Sequence, residues 1–201
     1  MLNVDCEDKI IDAFNQGKNL FITGSAGSGK TYIASNIIAP KAFSCAVTAT
    51  TGIAALTLRG DTVHRFLGID IYSRPEHLDK VLAKWGKIQK SNKSWDIAKW
   101  RTITGLRTLI IDEVSMLRRD QFELIDSVLS FIKGNTLPFG GIQVIMIGDF
   151  FQLPPVVTNS DIIQYKDLQN PYCFQSHIWQ QANFESFNLT CNYRQGEGEF
   201  L

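Results

Sequence analysis

An α/β fold, a mostly parallel sheet with helices on both faces, is what three observations in this 201-residue chain predict. Leu20-Phe21-Ile22, Leu109-Ile110-Ile111 and Ile142 to Ile147 are short apolar runs, as expected of strands buried on both faces. Segments with helical apolar spacing alternate with them, the pattern of crossover connections in a parallel sheet. Between the first run and the helical segment after it lies a glycine-rich turn, placed where parallel sheets bind ligands, at the C-terminal end of a strand.

Taken in order, Ile10, Ile11, Ala13 and Phe14 mark the apolar face of a short helix that Gly17 ends. Leu20 to Ile22 is the first strand. Lys30 to Ile38 reads as a helix stopped by Pro40, whose ring cannot continue it. Ala42 to Thr48 is a second strand, Gly52 to Leu58 a short helix, and Arg107 to Ile111 a third strand. Phe122, Leu124, Ile125, Val128, Leu129 and Ile132 make Gln121 to Ile132 an amphipathic helix. Ile142 to Ile147 is a further strand and Phe184 to Leu189 the last.

The whole chain, 1–201, reads as one domain, because 44% hydrophobic content supports a single core of ordinary size. Lysine plus arginine equals aspartate plus glutamate at 20 each, so any nucleic-acid surface is local. The segment 72–104 departs from this balance, with eight basic residues against Glu76, Asp79 and Asp96. It reads as a basic helical insertion with Leu78, Val81, Leu82 and Trp85 as its buried stripe. Its lysines either face solvent or neutralise nucleic-acid phosphates, and the two are compatible.

Cys6, Cys45, Cys173 and Cys191 show no C-x-x-C spacing and no neighbouring histidine, which argues for reduced thiols rather than a zinc site. Asp5, Glu7 and Asp8 suit neither a secretory nor a transit peptide, and no apolar run approaches the ~20 residues of a membrane span. The expectation is an intracellular protein away from membranes, with cytoplasm, nucleus and mitochondrion undistinguished.

Gly24-Ser25-Ala26-Gly27-Ser28-Gly29-Lys30-Thr31 satisfies G-x-x-x-x-G-K-[ST] between a strand and a helix. Glycines let backbone N–H groups wrap phosphates, and the helix N-terminus adds partial positive charge. Lys30 is placed to neutralise the β- and γ-phosphates and the Thr31 hydroxyl to coordinate Mg²⁺. Asp112 and Glu113 end an apolar strand; Asp112 suits the magnesium and Glu113 the general base that activates water. Asn92-Lys93-Ser94-Trp95 lacks the aspartate of a guanine-reading motif.

Gln152, in the proline-rich loop after Ile147, is placed to sense the γ-phosphate. Thr48 to Ala55 forms a second turn rich in hydroxyls and N–H groups, suited to a nucleic-acid phosphate. His64 and Phe66 lie downstream, where rings stack on or hydrogen-bond unpaired bases, although for His64 alone a satisfied core or surface histidine is the leading reading.

G-S-A-G-S-G-K-T, T-A-T-T-G-I-A-A, G-D-T-V-H-R-F-L-G-I, I-D-E-V-S-M-L, G-D-F-F-Q-L-P-P-V and N-Y-R-Q (Asn192 to Gln195) follow one another in the chain. Together they resemble the Pif family of DNA helicases, in the branch of superfamily one that moves five-prime to three-prime on single-stranded DNA. The resemblance implies a RecA-like P-loop domain using ATP and Mg²⁺ through Lys30, Thr31, Asp112 and Glu113. It implies Gln152 as γ-phosphate sensor and Arg194 as the arginine that stabilises charge during cleavage. It places single-stranded DNA at Thr50, Thr51, Gly52, His64 and Phe66, with Phe151 on the same surface.

Two positions depart from the family. Asp8 stands where a glutamine reads adenine, and Arg65 stands where a serine follows the motif histidine, adding a possible phosphate contact. The resemblance further implies a second RecA-like domain, so this chain is expected to be the first motor domain of a longer, monomeric helicase and not to unwind duplex alone. A module that binds nucleotide or DNA without translocating, or another P-loop enzyme such as a nucleotide kinase, stays open.

Overall fold

The computed structural model describes residues 4–164 and 169–190. Among the described residues six strands pair in parallel in the order β3-β2-β4-β5-β1-β6. They are β1 (Leu20–Gly24), β2 (Cys45–Ala49), β3 (Asp61–Thr62), β4 (Thr108–Asp112), β5 (Gln143–Ile147) and β6 (Glu185–Leu189). At one edge of the sheet, β3 is a two-residue strand that sequence periodicity could not register.

Alternation along the strands divides the core in two. Phe21, Leu109, Ile111, Val144 and Met146 face one layer, where they meet α4 (Val63–Leu67), α5 (Leu78–Gln89), α6 (Ser94–Thr104), α7 (Arg119–Lys133) and α9 (His177–Ala182). Leu20, Ile22, Ile110, Ile145 and Ile147 face the other, against α1 (Val4–Asn15) and the helix after β1. Covering both faces is why the strands read as near-continuous apolar runs. The remaining helices are α2 (Lys30–Tyr32), α3 (Gly52–Thr57) and α8 (Asn159–Gln164).

The helix expected over Lys30 to Ile38 is present with a change of winding. After α2, Ile33–Ile38 is a π-helix in which the Ala39 N–H reaches back to the Ala34 carbonyl. Apolar spacing over so short a stretch fits either winding. A 3₁₀ turn, Ala39–Lys41, carries Pro40, and β2 therefore starts at Cys45 rather than at Ala42.

In the basic insertion Val81, Trp85 and Ile88 are the buried residues of α5, and Leu78 and Leu82 pack partly buried beside them. The Trp85 indole donates to the Leu67 carbonyl at 2.9 Å, tying α5 to α4. Lys80, Lys84 and Lys87 are exposed on α5. Among the described residues no helix is long and apolar enough to cross a membrane. Among the described residues no disulfide joins Cys6, Cys45 and Cys173, and burial pushes Cys45 up to about 11.

Candidate functional site

The described motif loops leave the same edge of the sheet, because parallel strands present their C-terminal ends together. In the sheet β5 lies between β1 and β4, so the glycine turn and the Asp112–Glu113 tip follow strands one position either side of it.

The glycine turn starts at Gly24, with φ at 146°. A Cβ there would stand 2.5 Å from the Leu189 carbonyl oxygen and 2.8 Å from the Ser28 Oγ, so only glycine lets β1 end against β6. Gly29, left-handed at φ 87°, turns the chain into α2. Lys30 Nζ donates to the carbonyls of Gly24 at 2.6 Å and Ser25 at 2.9 Å, which holds the ammonium across the mouth of the turn.

Thr31 Oγ1 donates to Asp112 Oδ2 at 2.8 Å. Two distant motifs thus meet through a hydroxyl and a carboxylate. Asp112 closes a strand buried at every position and is itself 4% exposed. Burial raises its carboxyl above the ordinary 3.8, against the opposing pull of the Thr31 bond, the Glu113 N–H and the Lys30 charge. Oxygen donors of this kind fit Mg²⁺, which takes one or two protein oxygens and completes its octahedron with phosphate and water. Among the described residues no group of three or more His, Cys, Asp or Glu forms a protein-only metal cage.

Glu113 is half-buried in the left-handed region, at φ 58° and ψ 41°. Its N–H donates to Asp112 Oδ1 at 2.8 Å. Its carbonyl accepts from Thr50 Oγ1 at 2.7 Å and from the Met116 N–H at 3.2 Å. Burial, then the neighbouring Asp112 charge, pushes the Glu113 carboxyl above 4.5, while Lys30 pulls it down. A carboxylate with a raised pKa beside the Lys30 ammonium is suited to accept a proton from water.

After β5 the Asp149 side chain closes a tight turn by accepting from the Phe151 N–H at 3.0 Å and from Gln152 Nε2 at 3.3 Å. Phe150 turns inward, 5.2 Å from the Phe21 ring and 4.7 Å from the Phe174 ring. Phe151 is thereby thrown fully outward, at 101% exposure. Gln152 is exposed beside it. Asp149 was not singled out by sequence; an aspartate two residues before an N–H that needs closing is the signal that identifies it.

The residues expected to meet DNA separate in the structure. Gly52 is exposed and Thr51 half-buried, where its side chain accepts from the Ala54 N–H at 3.3 Å and caps α3. Arg65 is exposed and pairs with Asp61 at 3.3 Å. His64 is the correction: its ring is 5% exposed, with Nε2 2.9 Å from Gln121 Oε1. Burial holds it below its ordinary 6.5, and the Gln121 contact fastens α4 to α7. Phe66 is partly buried against the same core. The Thr50 hydroxyl is committed to Glu113 rather than turned to solvent. Asp8 is exposed on α1, and Arg194 and the rest of Asn192 to Gln195 lie outside the described residues.

A family model for PIF1-like helicases matches residues 4–200. The ATP-dependent DNA helicase Pif1 of Psychrobacter sp. (strain PRwf-1) is 38% identical over 192 residues, covering 94% of this chain and 27% of that protein. The ATP-dependent DNA helicase PIF1 of Homo sapiens is 34% identical over 195 residues, covering 96% and 27%. The crystal structure of Bacteroides sp Pif1 in complex with ADP-AlF4 superposes with a TM-score of 0.80 at 33% identity, over 98% of this chain and 44% of that one. Bacteroides Pif1 with ADP-AlF3 and single-stranded DNA superposes equally, at TM-score 0.80 and 33% identity, over 98% and 44%. The chain thus spans about a quarter of these curated relatives and less than half of these solved chains.

Proposed function

The chain belongs to the PIF1-like helicase family, and from that premise we propose that it is the ATP-binding first motor domain of an ATP-dependent DNA helicase moving five-prime to three-prime. The observation that carries this is the meeting of Lys30, Thr31, Asp112 and Glu113 at one edge of the sheet, with Thr31 and Asp112 in direct contact.

In this reading the turn from Gly24 to Thr31 binds the ATP phosphates through backbone N–H groups, and Lys30 leaves its carbonyl partners for the β- and γ-phosphates. Thr31 and Asp112 would hold Mg²⁺, which would supply neutralisation of the phosphate charge. Glu113 accepts a proton from the attacking water as the new O–P bond forms. The bond from the γ-phosphorus to the bridging oxygen breaks, and ADP leaves with that oxygen. Gln152 contacts the γ-phosphate, and Arg194 stabilises its developing charge.

Single-stranded DNA follows Thr51, Gly52, Arg65 and Phe151, the exposed members of the candidate set. The chain works with a second RecA-like domain, since translocation comes from two motor domains closing on ATP and reopening; unwinding therefore needs both. The test is the ATPase rate of the two-domain protein with and without single-stranded DNA. Strong stimulation abolished by Glu113→Gln is expected. A rate indifferent to DNA overturns the motor reading in favour of a binding module.

A further inference from the structure

We infer that Thr50 is a positioning residue that couples the candidate DNA turn to the candidate general base, a step that rests on the motor reading and goes beyond it. Strands β2 and β4 pair in register through Ala49 and Asp112. Beyond that last pair the two chains stay bonded for one more residue. The Thr50 N–H donates to the Asp112 carbonyl at 3.0 Å, and Thr50 Oγ1 donates to the Glu113 carbonyl at 2.7 Å. One side of Thr50 is thus bonded to both acidic positions. On its other side Thr51 caps α3 and Gly52 is exposed.

Glu113 needs such a partner. A non-glycine residue in the left-handed region persists only where its surroundings hold it there. Its N–H is held by its own neighbour, Asp112, within the same tip. The carbonyl is held by the Met116 N–H, also local, and by the Thr50 hydroxyl from across the sheet. Thr50 is therefore the non-local restraint on the Glu113 backbone among the bonds described. Any shift of the turn 51–52 on binding a strand is carried by one residue to the carbonyl that sets the direction of the Glu113 side chain. Single-stranded DNA then favours the base-competent arrangement of Glu113, as a population shift.

The experiment compares Thr50→Val, which keeps shape and loses the hydroxyl, with Thr50→Ser, which keeps it, in the two-domain protein. Saturating oligo(dT) and ATP are used, and kcat, KM for ATP and Kd for oligo(dT) are measured separately. The expected result is a loss of about tenfold in the DNA-stimulated rise in kcat for Thr50→Val, the scale of ordinary coupling. KM and Kd stay near wild type, and Thr50→Ser recovers the rise. An undiminished rise in Thr50→Val overturns the inference. So does a weakened Kd whose effect vanishes at saturating DNA, which makes Thr50 a ligand rather than a link.

Should Thr50→Val fail to fold, amide exchange in the wild-type protein decides. Oligo(dT) is expected to slow exchange at the Thr50 and Met116 amides, and unchanged exchange there, with DNA bound, overturns the coupling. A wild-type enzyme without DNA stimulation instead overturns the motor reading, which is a separate outcome.

Discussion

The Thr31 hydroxyl donates to Asp112 Oδ2 at 2.8 Å although 81 positions separate the two residues. That contact joins the glycine turn to the acidic strand tip, and it divides the roles at the site. Thr31→Ala removes an oxygen donor from the proposed magnesium position, so it is expected to raise the Mg²⁺ concentration needed for half-maximal ATPase. Glu113→Gln leaves both donors in place and is expected to keep nucleotide affinity while lowering kcat by about 10²–10⁴-fold, the usual worth of a general base. A magnesium titration of kcat for both variants checks the division.

The raised Glu113 and Asp112 carboxyls set a pH dependence. In the window between the ordinary values, 4.5 and 3.8, and the raised folded values, the folded chain holds protons that the unfolded chain has released. Stability contributed by these groups is therefore present at low pH and lost as pH rises through that window. Glu113→Gln removes the buried charge and is expected to raise Tm at neutral pH while abolishing hydrolysis. The acid limb of the wild-type kcat/KM profile is expected above pH 4.5. A lowered Tm for Glu113→Gln would contradict the sign.

Phe151 stands fully in solvent while its neighbour Phe150 is packed among rings. Phe151→Ala is expected to leave stability within about 0.5 kcal/mol of wild type and to weaken single-stranded DNA binding by about 1–3 kcal/mol if a base stacks there. Urea unfolding and anisotropy with labelled oligo(dT) separate the two effects. His64→Ala is expected to show the reverse, a loss of stability larger than its loss of DNA affinity.

Trp85 is completely buried, and its indole N–H bonds the Leu67 carbonyl. Trp85→Ala is expected to cost about 3–5 kcal/mol in urea unfolding. Trp85→Phe keeps most of the packing and loses chiefly the hydrogen bond and part of the volume, so its cost is expected to be smaller.

Local pattern determined much of this protein. Short apolar runs such as Leu109-Ile110-Ile111 meant a covered parallel sheet, and the glycine turn and Asp112-Glu113 could be read at strand ends and Gln152 in the loop after one, because a parallel sheet puts all those ends on one edge. Tertiary structure decided the rest. His64 looks like a base contact when read in one dimension, and only packing against Gln121 shows it to be a core residue. Thr50 reads as a free hydroxyl until β2 is laid beside β4, and the winding of Ile33–Ile38 and the strand at Asp61–Thr62 are equally silent in periodicity. For His64, Thr50 and the strand at Asp61–Thr62 the physical reason is shared: whether a polar atom faces solvent, or a short segment pairs, is set by a neighbour distant along the chain, and local spacing carries no record of it.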